Sequence, residues 1–344
     1  MASSRKTIAR GCFGKIYKEK FNGTWAAMKK VPMGIISKKQ LEGECKVYYC
    51  ARHCHVVKLL GDPWLQDGRW HIPLEFINGE ELETTIFKVQ KSKVQLTPKV
   101  KATIITGMCE GLFHLHSKDI VHQDLKPDNI MVEHGTHRAV IIDMGLAKFS
   151  FNGLSSAQNL GNEAYSAPEI LQANGVRDKR SDVWAMGKII TELITGVRLP
   201  TNLVSPAKIR EMLKDSPYCN IVSKMVATRP SERASMAEMI TEIRHLSVGI
   251  HLGIDMVARP TARTGRANLG VVAHNGPRGT GPAPVPIRAF VSEFFKVPIL
   301  RPLPLNGTLT HLHFDDESRQ LVIKQIFMRN GNIVKHENMK IRKS

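Results

Sequence analysis

The chain has 344 residues, a formal net charge of +18 and 42% hydrophobic residues, an ordinary balance for a globular protein able to bury one large core or two modest ones. Its six cysteines, Cys12, Cys45, Cys50, Cys54, Cys109 and Cys219, show neither C-x-x-C spacing nor scaffold density, which argues against a disulfide framework and for reduced thiols. The first ten residues carry no apolar stretch long enough for a signal peptide, and no later segment is apolar over membrane length, so the expectation is a soluble intracellular protein.

In chain order, residues 7–31 read as strands around a glycine-bearing turn. Lys15-Ile16-Tyr17 and Trp25-Ala26-Ala27-Met28 flank the hairpin signal Asn22-Gly23. A helix is expected over 38–51, and the apolar runs 56–60 and 70–76 suit strands. Helical spacing of Val100, Ile104, Met108, Leu112 and Leu115 predicts a helix over 97–117. Further helices are expected over 181–194, opening at Ser181 and Asp182, and over 235–246. Strands thus precede helices, the α+β pattern of two segregated lobes.

The charge is uneven. From Ala258 onward there are 14 Lys/Arg against 5 Asp/Glu, half of the excess in the last quarter of the chain. That balance favours acidic partners, nucleic acid included. Residues 258–288 are rich in Gly, Pro, Arg and Asn with little apolar periodicity, the composition of a linker. Alternation returns over 308–314 and 320–328, with turn signals at 315–318 and 329–332, consistent with a small β-meander.

Three constellations carry chemistry. The first is Ala9-Arg10-Gly11-Cys12-Phe13-Gly14-Lys15-Ile16, followed after the hairpin by Ala26-Ala27-Met28-Lys29. Glycines let backbone N–H groups approach phosphate oxygens, and a lysine on the neighbouring strand adds positive charge. The second is His122-Gln123-Asp124-Leu125-Lys126-Pro127-Asp128-Asn129, then Val140-Ile141-Ile142-Asp143-Met144-Gly145. Phosphoryl transfer needs an acceptor for a hydroxyl proton, oxygen ligands for Mg²⁺ and a cation for the γ-phosphate, and this run contains all of them. The third is Ala167-Pro168-Glu169, then Ser181-Asp182-Val183-Trp184-Ala185-Met186-Gly187, and Arg233.

Taken in order, these residues resemble the eukaryotic protein kinase family, Ser/Thr type, over roughly 240 residues. The resemblance implies the two-lobed kinase fold within residues 1–248: a small β-rich lobe over about 1–77 and a larger helical lobe over about 78–248. A basic Gly/Pro-rich linker over 249–288 and a small basic C-terminal extension over 289–344 would follow. It further implies ATP and Mg²⁺ as cofactors, protein substrates, no membrane association and a cytoplasmic or nuclear location.

Residue by residue, the resemblance makes Ala9, Gly11, Gly14 and Ile16 the nucleotide loop, Lys29 the α/β-phosphate lysine and Glu44 its ion-pair partner. Ala27, Glu75 and Ile77 would line the adenine site. Asp124 would be the catalytic aspartate, Lys126 the phosphate-contacting lysine, and Asn129 and Asp143 the metal ligands. Glu169 and Arg233 resemble the family's buried structural pair, and His122 a packing residue of the loop.

Four positions depart from the family pattern: Ala9 for glycine, Gln123 for arginine, Met144 for phenylalanine and Asn162 for threonine. Ala9 stays small and Met144 apolar. Gln123 cannot grip a phosphorylated activation loop as arginine does, so activity is expected without phosphorylation of Ser155 or Ser156. A nucleotide-binding pseudokinase or signalling scaffold is the alternative, motivated by Ala9, Met144 and Asn162. For the tail, an acidic protein or nucleic acid partner through Arg259, Arg263, Arg266, Arg278 and Arg288 stands beside a plain solvated linker.

Overall fold

Asn22 and Gly23 both take positive φ, 48° and 79°, the backbone of a type I′ turn whose twist matches that of the strands it joins. In the computed structural model this turn closes β2 (Gly14–Phe21) onto β3 (Thr24–Pro32), with β1 (Thr7–Gly11) paired to β2 on the other side. The structure describes residues 7–11, 14–150, 162–172, 175–253, 307–315, 320–329 and 332–340. They belong to two units, Met1–Thr261 and Ala262–Ser344.

In the first unit, α1 (Lys38–Cys50) follows β3, and β4 (Trp64–Gln66) and β5 (Arg69–Glu75) complete an antiparallel five-stranded sheet of order β1-β2-β3-β5-β4. Ser37 starts α1 with a capping box: its hydroxyl accepts from Gln40 N–H while the Gln40 side chain accepts from Ser37 N–H. The apolar run 56–60, expected as a strand, is buried at Val56, Val57 and Leu59 but makes only isolated bridges, Val56 to His53 and Ile141 and Leu59 to Leu74. Burial there follows from packing between elements, with no continuous ladder.

The larger lobe opens with β6 (Gly79–Glu81), α2 (Leu82–Phe87) and α3 (Pro98–Ser117). Thr97 caps α3 and Pro98 occupies its first position, where the missing N–H costs nothing. Ile104, Met108, Leu112 and Leu115 are fully buried, as their spacing predicts. Next come β7 (Ile120–Val121), a 3₁₀ turn at Pro127–Asn129, β8 (Ile130–Glu133), β9 (Ala139–Ile141) and β10 (Lys148–Phe149). β6, β8 and β9 form one small sheet, and β7 and β10 another.

Four helices complete the unit after the short α4 (Pro168–Leu171): α5 (Lys179–Thr195), α6 (Pro206–Met212), α7 (Cys219–Met225) and α8 (Met236–His251). The start of α5 lies before Ser181, because Asp178 is the true cap and accepts from the N–H groups of Arg180 and Ser181. Residues 181–193 of α5 are all buried, Trp184 and the charged Lys188 and Glu192 included, so this helix runs through the core. Ser235 and Glu238 form a second capping box at α8.

The second unit contains β11 (Gly307–Asp315), β12 (Gln320–Arg329) and β13 (Asn332–Lys340), an antiparallel meander with β12 in the middle. Ile326 and Met328, two apart on β12, are buried on one face. The basic stretch Arg259 to Arg288, Cys12-Phe13 of the glycine turn and the serines Ser155 and Ser156 lie outside the described residues. Cys45, Cys50, Cys54, Cys109 and Cys219 are free thiols. No helix among the described residues is long and apolar enough to cross a membrane.

Candidate active site

Lys29 sits on the central strand β3, opposite Ile16 of β2 and Ile72 of β5. Its side chain is buried, with Nζ 2.9 Å from Glu44 Oε1 on α1 and 3.3 Å from Asp143 Oδ1 just after β9. Burial pulls the ammonium down, but the charges of Glu44 and Asp143 outweigh it and hold the lysine well above its ordinary value. Burial pushes Asp143 up, yet the Lys29 cation and the N–H of Gly145, at 3.1 Å, hold it below the ordinary aspartate range. Lys29 and Asp143 are therefore ionised near neutral pH. Tyr48, one turn beyond Glu44, donates to Glu44 Oε1 at 3.3 Å. The sequence reading missed Tyr48, although the i, i+4 spacing on α1 puts it on the face of Glu44.

Asp124 lies about the loop between β7 and the 3₁₀ turn, and both of its carboxylate oxygens are engaged. Oδ2 is 3.1 Å from Lys126 Nζ and accepts from Asn129 Nδ2 at 3.0 Å; Oδ1 accepts from the backbone N–H of Asn162 at 3.0 Å. Asn129 also donates to the Asp124 carbonyl at 2.8 Å. At Asn162 the group that reaches Asp124 is the main chain, because the side chain is occupied in capping Ala164 N–H.

The pairing of β8 with β9 brings Asn129 and Asp143 to the same end of that small sheet. Ile130 opposes Ile141, and Ile142 N–H donates to Asn129 O at 2.9 Å, so the residues flanking the two strands are neighbours. Asp143 has φ 41°, a left-handed conformation at the point where the chain leaves β9.

On the sheet side, Ala27 pairs with Leu74 and Ala26 with Glu75. Glu75 Oε1 accepts from Arg138 at 2.9 Å, and the Glu75 N–H donates to the Lys58 carbonyl at 2.8 Å. Ile77 is buried; its carbonyl accepts from Gly79, and its N–H meets no acceptor among the described residues. Ala9 pairs with Ile16 and Gly11 with Gly14 in β1 and β2. A Cβ on Gly14 would fall 2.3 Å from the Lys30 carbonyl oxygen, so glycine is also required there for strand packing.

Three residues beneath the loop support it. Asp182 of α5 accepts from the N–H groups of His122 at 2.8 Å and Gln123 at 2.9 Å, and its Oδ2 lies 3.0 Å from His116 Nε2. His122 is fully buried and its Nδ1 accepts from Asp124 N–H at 3.3 Å. Arg177, which the sequence reading did not single out, donates to the Gln123 carbonyl. Glu169 and Arg233 form a bidentate pair at 2.7 and 3.0 Å that ties α4 to the loop before α8. Met144 is fully buried, consistent with an apolar packing role.

The family model described as the protein kinase domain matches residues 3–245. Among curated proteins, the chain is 25% identical over 248 residues to a probable serine/threonine-protein kinase of Dictyostelium discoideum, covering 70% of this chain and 24% of that protein. It is 30% identical over 214 residues to the serine/threonine-protein kinase AtPK1/AtPK6 of Arabidopsis thaliana, covering 60% and 44%. It is 28% identical over 253 residues to an Aurora kinase of Yarrowia lipolytica, covering 68% and 65%. The chain thus spans between about a quarter and just under two thirds of the length of these relatives.

Proposed function

This chain belongs to the protein kinase family, and from that premise we propose that it is a serine/threonine kinase transferring the γ-phosphoryl group of ATP to hydroxyls of protein substrates. The observation that carries the reading is the convergence on Asp124. Its carboxylate is oriented by Lys126, Asn129 and Asn162, in reach of a hydroxyl proton. Lys126 offsets charge on the transferring phosphoryl group and favours Ser/Thr acceptors. Lys29, held by Glu44, meets the α- and β-phosphates.

Asn129 and Asp143 are the proposed Mg²⁺ ligands. Asn129 directs its amide nitrogen to Asp124, so its amide oxygen is the atom offered to a cation, and Asp143 is a carboxylate kept ionised. Two hard oxygen donors on adjacent backbone suit Mg²⁺, which when bound would neutralise phosphate charge. The adenine ring would meet the N–H of Ile77 and the backbone of Glu75 beside Ala27. The turn of Ala9, Gly11 and Gly14, with Ile16, would cover the phosphates. A cytoplasmic or nuclear location completes the reading.

Catalysis here is positioning and electrostatics, with no covalent intermediate on the protein. The test is transfer of radiolabel from ATP, with Mg²⁺, onto a generic basic protein acceptor, beside an Asp124→Ala control of equal melting temperature. Label on serine or threonine that vanishes in the control supports the reading. ATP binding without transfer by the wild type would discard it in favour of a nucleotide-binding scaffold.

A further inference from the structure

Gln123, immediately before Asp124, has φ +70°. A residue with a Cβ persists in that left-handed conformation only where its surroundings over-determine it. The side chain contributes nothing to this: Gln123 is 4% exposed, and neither amide atom has a hydrogen-bond partner among the described residues. What grips the residue is its backbone, at both ends. Its N–H donates to Asp182 Oδ1 at 2.9 Å, and its carbonyl accepts from Arg177 Nη1 at 3.1 Å.

Arg177 itself is 7% exposed. Its Nη2 donates to Ser166 Oγ at 2.9 Å, the Ser166 hydroxyl donates to the Asn162 carbonyl at 3.1 Å, and the Asn162 N–H returns to Asp124 Oδ1 at 3.0 Å. One guanidinium therefore joins the chain before Asp124 to the segment that contacts its carboxylate. Gly175 permits this placement, since a Cβ there would lie 2.6 Å from the Glu169 carbonyl oxygen. Both terminal nitrogens of Arg177 thus serve the chain's own groups, the Gln123 carbonyl and the Ser166 hydroxyl. Burial lowers its pKa while Asp124 and Asp182 raise it, and a guanidinium remains charged throughout.

We propose that Arg177 is a positioning residue for phosphoryl transfer, clamping the Gln123 carbonyl and the Ser166 hydroxyl at once so that Asp124 is held without a phosphate on the activation segment. The assignment rests on the kinase reading above. It does what the loop arginine absent at Gln123 cannot do, and it does so from the entry to α5.

The test compares the full chain with Arg177→Met, Arg177→Lys and Ser166→Ala, each treated with phosphatase and assayed on a histone acceptor, with melting temperatures recorded. Arg177→Met is expected to lower kcat roughly 10- to 100-fold, the scale of a misplaced catalytic group, while KM for ATP stays within about 2-fold. Arg177→Lys should recover part of kcat, because one ammonium can reach one acceptor but cannot present the planar fork to both. Ser166→Ala should show a smaller fall in kcat, and it carries the test if Arg177→Met does not fold. Unchanged kcat in Ser166→Ala and in whichever Arg177 variants fold overturns the assignment. So does a loss that appears in ATP binding and melting temperature alone, which would mark Arg177 as general scaffold. A wild-type chain that transfers no label sinks the kinase reading itself, an outcome distinct from any difference among variants.

Discussion

Two buried cations face carboxylates in the two lobes, and they are satisfied in different ways. Arg233 is saturated: its five N–H directions go to Glu169 twice and to the carbonyls of Arg180, Ala227 and Thr228. Lys29 instead stands between Glu44 on α1 and Asp143 after β9, two carboxylates on separate elements. A guanidinium with every N–H filled, by Glu169 of α4, Arg180 of α5 and the segment after α7, fastens those parts of the fold together. An ammonium shared between elements depends on how those elements meet, and so belongs to a site that can be assembled or taken apart.

The largest effect should separate chemistry from folding. Asp124→Ala should reduce phosphate transfer by roughly 10²- to 10⁴-fold with little change in melting temperature, and Lys29→Met should abolish turnover as well. A variant of either kind retaining wild-type turnover would erase the contrast. Arg233→Ala should act in the opposite way, costing about 3 to 5 kcal/mol of stability because the half-buried Glu169 and three carbonyls lose their shared donor. Chemical denaturation measures it, and a cost under about 1 kcal/mol would show the pair to be ornamental.

Gly14→Ala sharpens the comparison on the Lys29 side. Its Cβ would collide with the Lys30 carbonyl, so β2 must shift from β3 at a cost of about 1 to 3 kcal/mol. Weaker ATP binding should accompany the lowered melting temperature, and a stability equal to wild type would refute the packing argument.

A smaller effect comes from His53, stacked on His114 at 4.7 Å and near His55. Burial, with the two neighbouring histidines, lowers its pKa from 6.5 to about 4. Between those values the unfolded chain binds a proton that the folded chain does not, so stability falls as pH drops from 6.5 towards 4. His53→Gln should remove that part of the slope when melting temperature is followed from pH 7 to pH 4; an identical slope would exclude His53 as its source. The least effect is expected from alanines at Ser155 and Ser156 together, which should leave turnover on a basic acceptor near wild type. Loss of activity in a folded double variant would contradict phosphate-independent assembly of the site.

How far the sequence could be read varies by residue. The Asn22-Gly23 turn, the caps at Thr97 and Ser235 and the buried stripe of α3 follow from local rules, because turn chemistry and helical period act within a few residues. The start of α5 is ambiguous in the sequence because three residues able to cap it, Asp178, Ser181 and Asp182, lie within five residues, and only the backbone decides among them. The run 56–60 has the composition of a strand without forming one, since apolar content alone does not reveal whether a neighbouring strand is available to pair.

What the sequence by itself determined is the inventory of chemistry and its order: Lys29, Glu44, Asp124, Lys126, Asn129 and Asp143 at the spacing of one family, on a strand-rich lobe followed by a helical one. What only the tertiary structure decided is which atoms do the holding. That Asn162 reaches Asp124 through its main chain, that the Gln123 amide makes no bond while its backbone is gripped from two sides, and that Arg177 is the second grip are consequences of contacts between segments some 40 to 60 residues apart. Spacing along a chain records which groups are present, whereas hydrogen bonds at 3 Å depend on how distant segments pack, and no local periodicity encodes that.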